Sequence, residues 1–588
     1  MIGSFLFVLH SHIPYVRKAG TWPHGEEMLH EIIAETYIPL LNVFSSLHSK
    51  RVPISLSLGL TPILLEQLQD KYMQKQFVLY MQARIAAAEK EHAMLRVSNP
   101  ELLSVNEEVI AWYKQRLFEY EHVYQRDMVN AFKYFQDHDG LDILTCAATH
   151  GYLPLFKNEA AIWGQLKTAV NHYKKYFGRD PKGIWLPECG YRPEDDLRGG
   201  LEQYLNALGI QYFFTDSHVI DAALPHHHKQ EPKLKMSLTT NSAELIGQAS
   251  VSHNEIEAEV EELSEAEEIE QSKKYTTFHP YKVGTSDVHV FGRDRLTGLA
   301  VWSATWGYPG EFSYREFHKK SKLSGHKYWK VTKNGPGLAH KQPYESKTAA
   351  EKVSEHAEHF VNLVTEHLGN YRKENNIAGT VVSSYDTELF GHWWFEGVSW
   401  LEAVITNFHA RNEVKLVSGQ EALGLHRQVD RVRIPESSWG NGGQHSTWLN
   451  QHTEYMWPIM HECEDRFLAL TKKYTQVRGM QKKLLNQAAR ELLLLQSSDW
   501  PFLVTTFQAK DYAEKRFAEH VERFQKVCDV IEGRAKLDKL MKESFSKDTA
   551  FAHVDYRGFC IQTCLAQPYP YNLIMITKLW AYNIFIMV

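Results

Sequence analysis

Three things are scarce in this sequence, and each scarcity narrows what the protein does. Cysteine is the first: Cys146, Cys189, Cys463, Cys528, Cys560 and Cys564 are six residues scattered through 588. They form no disulfide framework, and the close pair Cys560 and Cys564 lacks partner spacing for a zinc site, so all six read as reduced, mostly buried thiols of a cytoplasmic protein. Long apolar runs are the second. Leu573 to Val588 is apolar apart from Lys578, yet it falls short of the roughly 20 residues a membrane span needs. The opening Met1-Ile2-Gly3-Ser4-Phe5-Leu6 has no basic segment before it and no small-residue cleavage site after it, which reads as a strand and not a leader. Charge of one sign is the third. A net charge of −6 over this length gives no electrostatic case for nucleic acid or an anionic membrane as partner.

Aromatic residues, by contrast, make up 12% of the chain and include fifteen Trp. Several stand beside Gly, Pro or His and not in periodic runs, which suits rings that stack on pyranose faces as well as rings that fill a core. With 43% hydrophobic residues the chain buries a large core, and its length favours several domains or a barrel with insertions.

Strands and helices alternate along the first part. Ser4 to Leu9 is continuously apolar, as a strand covered on both faces is; a helix is expected from Glu26 to Ser46 and a second strand from Val52 to Leu58. Residues 62–137 carry only helical periodicity. Strands follow at Leu141 to Ala147, Gly183 to Leu186, Tyr212 to Thr215 and Thr380 to Ser384, with helices at Trp163 to Tyr176, Leu201 to Leu208, Ala349 to Glu366 and Trp400 to His409. Such alternation indicates a parallel α/β architecture. Pro225 to Lys274, with His226-His227-His228 and nine Glu between Glu255 and Glu270, is too polar to bury much and is expected to be a solvated insertion; the His triplet could bind metal. From about His452 to Lys547 the chain reads as helix.

Two strand ends carry the chemistry. Gly183-Ile184-Trp185-Leu186-Pro187-Glu188-Cys189-Gly190 delivers Glu188 into a loop, and Thr380-Val381-Val382-Ser383-Ser384-Tyr385-Asp386 delivers Asp386 before a dense aromatic cluster. Loops after parallel strands are where barrel enzymes keep their reacting groups. Two carboxyl groups flanking a glycosidic bond, one ionised and one protonated, cleave it. The Arg192 charge near Glu188 favours ionisation, as a nucleophile requires, while Tyr385, Phe390, Trp393 and Trp394 around Asp386 raise its pKa, as a general acid requires. His10, His12 and His150 lie at strand ends too. They serve to bind sugar hydroxyls, or to ligate a metal as in amidohydrolases, for which Asp216 could supply the Asp but no strand-end Lys or further His pair is evident, or they are structural.

His10-Ser11-His12-Ile13-Pro14-Tyr15, Gly151-Tyr152-Leu153-Pro154, Trp185-Leu186-Pro187-Glu188-Cys189-Gly190-Tyr191, Ser384-Tyr385-Asp386-Thr387-Glu388-Leu389-Phe390-Gly391-His392-Trp393-Trp394 and the Trp448 to Trp457 segment resemble, in order, the five signature motifs of glycoside hydrolase family 57. The likeness is strongest to those members that cut an α-1,4-glucan and pass the severed chain to a 6-hydroxyl. The resemblance implies a (β/α)7 barrel over residues 1–428, with a helical insertion at about 62–137 and an acidic one at about 225–274. A C-terminal all-helical domain would span 429–560, followed by an apolar tail at 561–588. It implies a retaining double displacement without cofactor or metal, with Glu188 as nucleophile and Asp386 as acid/base. Glucan contacts are implied for His10, His12, His150, Arg293, Trp302, Gly310, Trp439, Asp499 and Gln508, with an α-1,4-glucan as donor and acceptor. Relatives carry a shorter covering loop where 225–274 lies, and Tyr275 and Tyr281 are both candidates for its aromatic residue. Hydrolase and 4-α-glucanotransferase activities of the same family, and a non-catalytic glucan-binding protein, are the competing readings.

Overall fold

The computed structural model describes residues 1–560 except 22–23, 197, 227–274, 304–306, 334–336 and 427. The acidic insertion from residue 227 onward and the apolar tail at 561–588 therefore lie outside the described residues. Among those described, the strands are β1 (Gly3–Ser11), β2 (Ser57–Leu60), β3 (Asp142–Leu144), β4 (Gly183–Ile184), β5 (Tyr212–Thr215), β6 (Leu224–Pro225), β7 (Tyr281–Val283), β8 (His289–Gly292), β9 (Thr380–Asp386), β10 (Val414–Leu416) and β11 (Arg431–Arg433).

All nine residues of β1 are buried, as its unbroken apolar run requires. One edge of β1 pairs in parallel with β9; the other pairs with β10 at its start and β2 at its end, and β3 extends the sheet beyond β2. A second sheet has the order β4-β5-β8-β7-β11-β6, in which β4, β5 and β8 run parallel. Single links span the gaps between the two sheets: Thr145 bridges Ile184, and the Asp294 amide donates to the Val382 carbonyl at 2.7 Å. The ladders do not run on into one closed sheet among the described residues. The observed class is α/β with parallel strands, covered by helices and followed by a helical C-terminal region.

Side-chain alternation along β1 sorts two cores. Phe5, Phe7 and Leu9 pack outward against the covering helices. Leu6 and Val8 point the other way and meet Val382 of β9, Leu144 of β3, Trp185, Tyr212 and Phe214 of β5, and Phe291 of β8. The expected strand from Val52 pairs only from Ser57, since Pro53 has no amide to donate to a ladder. The first long helix, Glu26–Ser49, changes to a π-helical turn at Ile33–Tyr37. Residues 62–138 are helical, as their periodicity indicated, in segments Pro62–Gln69, Lys71–Ser98, Leu103–Phe118 and Met128–His138.

Helices Met456–Lys473, Gly479–Leu495, Asp499–Thr505 and Lys510–Ile531 form most of the C-terminal region. Their apolar faces, including Phe467, Leu485, Leu492, Phe524 and Val527, share one core with Tyr152, Tyr191 and Phe213. The helical region is thus welded to the second sheet. No helix among the described residues is long and apolar enough to cross a membrane.

Candidate active site

The C-terminal ends of β1, β4 and β9 open into one cleft of about 1080 Å³, and Glu188, Asp386, His10, His12, His150, Trp302, Gly310, Trp439, Asp499 and Gln508 all line it. Ten of the eleven residues singled out in the sequence are thus brought to one wall or another. Arg293 is the exception. It stands behind the wall, with Nη2 donating to Asp216 Oδ2 at 2.5 Å and its guanidinium 6.0 Å from the Trp439 ring.

Glu188 sits in a tight turn, Pro187–Cys189, two residues beyond the β4 ladder and its continuation at Trp185. Its backbone is left-handed, with φ +59°, and Cys189 follows at φ +50°. Each such non-glycine residue costs of order 1–3 kcal/mol, and conformations of this kind persist where surrounding structure enforces them. Here Trp439 is the enforcing group: its amide donates to the Glu188 carbonyl at 3.0 Å and its indole Nε1 to Oε2 at 2.7 Å. Ser498 Oγ donates to Oε1 at 3.2 Å. The Glu188 side chain is 15% exposed, toward the cleft. Burial pushes its pKa up to about 7, against the Trp439 and Ser498 bonds, which favour the ionised form; the Asp499 charge adds to the rise.

Arg192 plays no part in this. Its guanidinium turns away to Asp195, at 3.1 Å, and to the carbonyls of Pro193 and Gly199. The expected stabilisation of a charged Glu188 by Arg192 is therefore corrected: Asp195 and the Pro193 and Gly199 carbonyls hold the Arg192 guanidinium, and the donors on Glu188 are Trp439 and Ser498.

Asp386 ends β9, its Cα in register with that of His10 on β1. No described side chain hydrogen-bonds its carboxyl group. Burial first, and then the Glu188 charge, push its pKa up to about 7; His12 and Arg293 pull the other way. The direction is the one expected from the apolar residues that follow Asp386 in sequence. Two residues on, Glu388 accepts a close hydrogen bond from the Tyr37 hydroxyl and one from the His12 amide at 3.2 Å, and burial with the neighbouring Asp386 charge pushes it up to about 8.

The three histidines form a stack. The His12 and His150 rings lie 3.9 Å apart at 12°, and His10 packs on Trp185 at 5.0 Å. His12 Nδ1 meets Thr61 Oγ1 at 3.2 Å and Nε2 meets both oxygens of Asp499 at 3.0 Å. His10 Nε2 and His150 Nε2 are 3.0 Å apart, and His150 Nδ1 meets Ser498 Oγ at 2.8 Å. Burial, with neighbouring His12, holds His10 and His150 well below the usual imidazole value. The amidohydrolase ligand set is not assembled: Asp216 is paired with Arg293 and His12 with Asp499. His10, Cys146 and His150 do have donor atoms within 4.8 Å of one another, and all three are buried.

Sequence reasoning missed Tyr37, Ser498 and Glu388 as partners of the site, and with them the Phe502 and Tyr512 rings on the cleft wall. Glu388 stood in plain view two residues after Asp386. Tyr37 left no signal, since only the π-helical turn aims it at Glu388. Tyr275 and Tyr281 are buried against each other, ring centroids 5.1 Å apart, and neither lines the cleft.

A parallel α/β scaffold with two elevated carboxyl groups in an aromatic cleft is the site of a glycoside-processing enzyme, and the sequence places it: residues 6–435 match glycosyl hydrolase family 57, so the chain belongs to that family. Residues 459–559 match the C-terminal region described for 1,4-alpha-glucan branching enzymes. A 1,4-alpha-glucan branching enzyme of Thermococcus kodakarensis is 38% identical over 567 residues, which cover 94% of this chain and 78% of that one. Among solved structures, a branching enzyme of this family from Pyrococcus horikoshii superposes with a TM-score of 0.82 at 37% identity, over 96% of this chain and 97% of the other. The alpha-amylase AmyC of Thermotoga maritima superposes with a TM-score of 0.79 at 28% identity, over 96% and 100%.

Proposed function

We propose that the protein is a 1,4-α-glucan branching enzyme: it cuts an α-1,4-glucan and transfers the severed chain to a 6-hydroxyl of a glucan acceptor. The observation that carries this is the pairing of Glu188 and Asp386 in one cleft of a chain similar to branching enzymes along nearly its whole length. Burial raises both carboxyl groups, and the Glu188 charge raises Asp386 further. Trp439 and Ser498 donate to Glu188 and nothing described donates to Asp386, so the proton rests on Asp386.

The reaction then runs as a retaining double displacement. Asp386 gives its proton to the glycosidic oxygen as the Glu188 carboxylate attacks the anomeric carbon, forming a glycosyl ester and releasing one chain end. Asp386, now ionised, takes the proton from an acceptor 6-hydroxyl, whose oxygen displaces Glu188. Such chemistry belongs to carboxyl groups about 5–5.5 Å apart. His10, His12, His150, Trp302, Gly310, Trp439, Asp499 and Gln508 bind the glucan, and Arg293 acts from behind Trp439.

We further read the strands as a (β/α)7 barrel formed by β1, β2, β3, β4, β5, β8 and β9. Support comes from the Thr145–Ile184 and Asp294–Val382 links and from the inward cluster to which most of these strands contribute. β11 pairs with β7 and β6, which favours a boundary to the helical domain a few residues beyond the expected 428. Free thiols among the described cysteines accord with a cytoplasmic setting.

Hydrolysis is the second reading, favoured by the likeness to AmyC. Incubation with amylose decides: new α-1,6 linkages without a matching rise in reducing ends support branching, and reducing ends alone sink it. E188Q and D386N should each lower turnover by at least about 10³-fold.

A further inference from the structure

His392 lines the cleft on the side of Phe317 and Trp393, and its surroundings are built with more care than a packing residue needs. Its Nδ1 lies 2.7 Å from Glu35 Oε2, and a nitrogen facing a carboxylate at that distance carries the hydrogen. Lys327 Nζ donates to the same carboxylate at 3.1 and 3.3 Å and to the His392 carbonyl at 3.5 Å. Lys327 and the ring thus share one carboxylate. In the neutral ring with its hydrogen on Nδ1, Nε2 is an acceptor, and it has no partner among the described residues.

Two further features hold the ring in place. Glu35 lies inside the π-helical turn Ile33–Tyr37, a local insertion of the kind that gathers at functional sites. Its carbonyl passes so close to Gly391, at φ +101°, that a Cβ there would stand 1.9 Å from the oxygen; the residue before His392 must be glycine. Phe317 meets the imidazole edge-on at 5.4 Å while Lys327 sits 4.7 Å over the Phe317 ring. Glu35 and Lys327 are 9% and 10% exposed. A buried ion pair is costly to assemble and is weak as a source of stability, which leaves orientation of His392 as what the arrangement achieves.

We propose that His392, fixed in its Nδ1–H tautomer by Glu35, is a substrate-binding residue that accepts a hydrogen bond from a glucose hydroxyl of the glucan in the Phe317–Trp393 arm of the cleft. Glu35 is a positioning residue. The aromatic rings offer apolar faces for the pyranose, and Nε2 selects a donor at its rim, which discriminates a sugar from any apolar chain of the same girth. This inference rests on the glucan reading of the site.

The test compares initial rates on amylose for wild type, H392N and H392Q. Asparagine places an amide where Nδ1 was and keeps the Glu35 bond, but has no atom at the Nε2 position; glutamine restores a carbonyl there. H392N should raise KM about five- to ten-fold, the loss of one hydrogen bond, with kcat within about two-fold, and H392Q should recover part of it. An unchanged KM in H392N overturns the proposal. Should H392N fail to fold, a crystal structure of E188Q with maltoheptaose decides: a sugar hydroxyl within hydrogen-bond reach of Nε2 supports it, and an occupied cleft with no hydroxyl there refutes it. Absence of α-1,6 linkages with wild type would undo the branching reading alone, because maltoheptaose still reports on His392.

Discussion

Asp499 and His12 are 487 residues apart in sequence, and both carboxylate oxygens of the first lie 3.0 Å from Nε2 of the second. The first strand's loop is therefore held in register by the opening turn of a C-terminal helix. His12 in turn stacks on His150 and, through its backbone amide, holds Glu388. The helical region supplies part of the site and more than a support for it.

Loosening that contact should disturb the histidine stack without unfolding the protein. D499N keeps the shape but removes the charge that fixes the His12 ring, and kcat/KM on amylose is expected to fall about 10- to 100-fold, as small misplacements near reacting groups do. Circular dichroism and the thermal midpoint should stay close to wild type. Wild-type kinetics in D499N would show the contact to be structural only.

Trp439 donates its indole hydrogen to Glu188, and that bond favours the ionised carboxylate. In W439F the Glu188 pKa should climb further above about 7, so the acidic limb of the kcat/KM profile moves to higher pH and the loss is larger at pH 6 than at pH 8. About ten-fold is expected at neutral pH. A uniform loss across the profile would count against this account of the carboxylate.

Asp386 should weaken the fold as it ionises. Its folded pKa, about 7, lies above its ordinary value of 3.8, so the folded state binds the proton more tightly than the unfolded chain does. Stability from this group is full below about 4, declines as pH rises to about 7, and stays lost above. Asparagine never ionises. D386N should therefore raise the thermal midpoint relative to wild type at pH 8 and by less at pH 5; equal shifts at both would contradict the assignment.

Glu388 is uncharged at pH 7 if burial raises it to about 8. Glutamine keeps the carbonyl that accepts from Tyr37 and the His12 amide, so E388Q should retain activity within about three-fold. E388A leaves both donors unmet in a buried setting and should lose at least about ten-fold. Equal losses in the two variants would instead assign Glu388 a charged role.

The parallel strands and their loop-borne carboxyl groups were legible because each strand is apolar and its exit residue polar: β1, β5 and β9 fell within a residue or two of their expected positions. Where the sequence misled, it did so through proximity. Arg192 is four residues from Glu188 yet faces Asp195, while Trp439, 251 residues away, makes the bond that matters. Likewise the Glu35–His392 contact spans 357 residues and depends on a π-helical turn that no periodicity announces. Local chemistry can be read from neighbours along the chain, but orientation is set by partners that only the folded topology supplies.

The order in which the cleft is assembled has a consequence for the protein's birth. A chain leaving the ribosome presents His10, Glu188 and Asp386 long before Trp439, Ser498, Asp499 and Gln508 emerge. Until then the left-handed turn at Glu188 lacks the indole that clamps it and the His12 loop lacks its anchor. The nascent polypeptide is thus expected to carry both carboxyl groups without a working cleft, and to become competent for glucan only when its C-terminal helices pack against the second sheet.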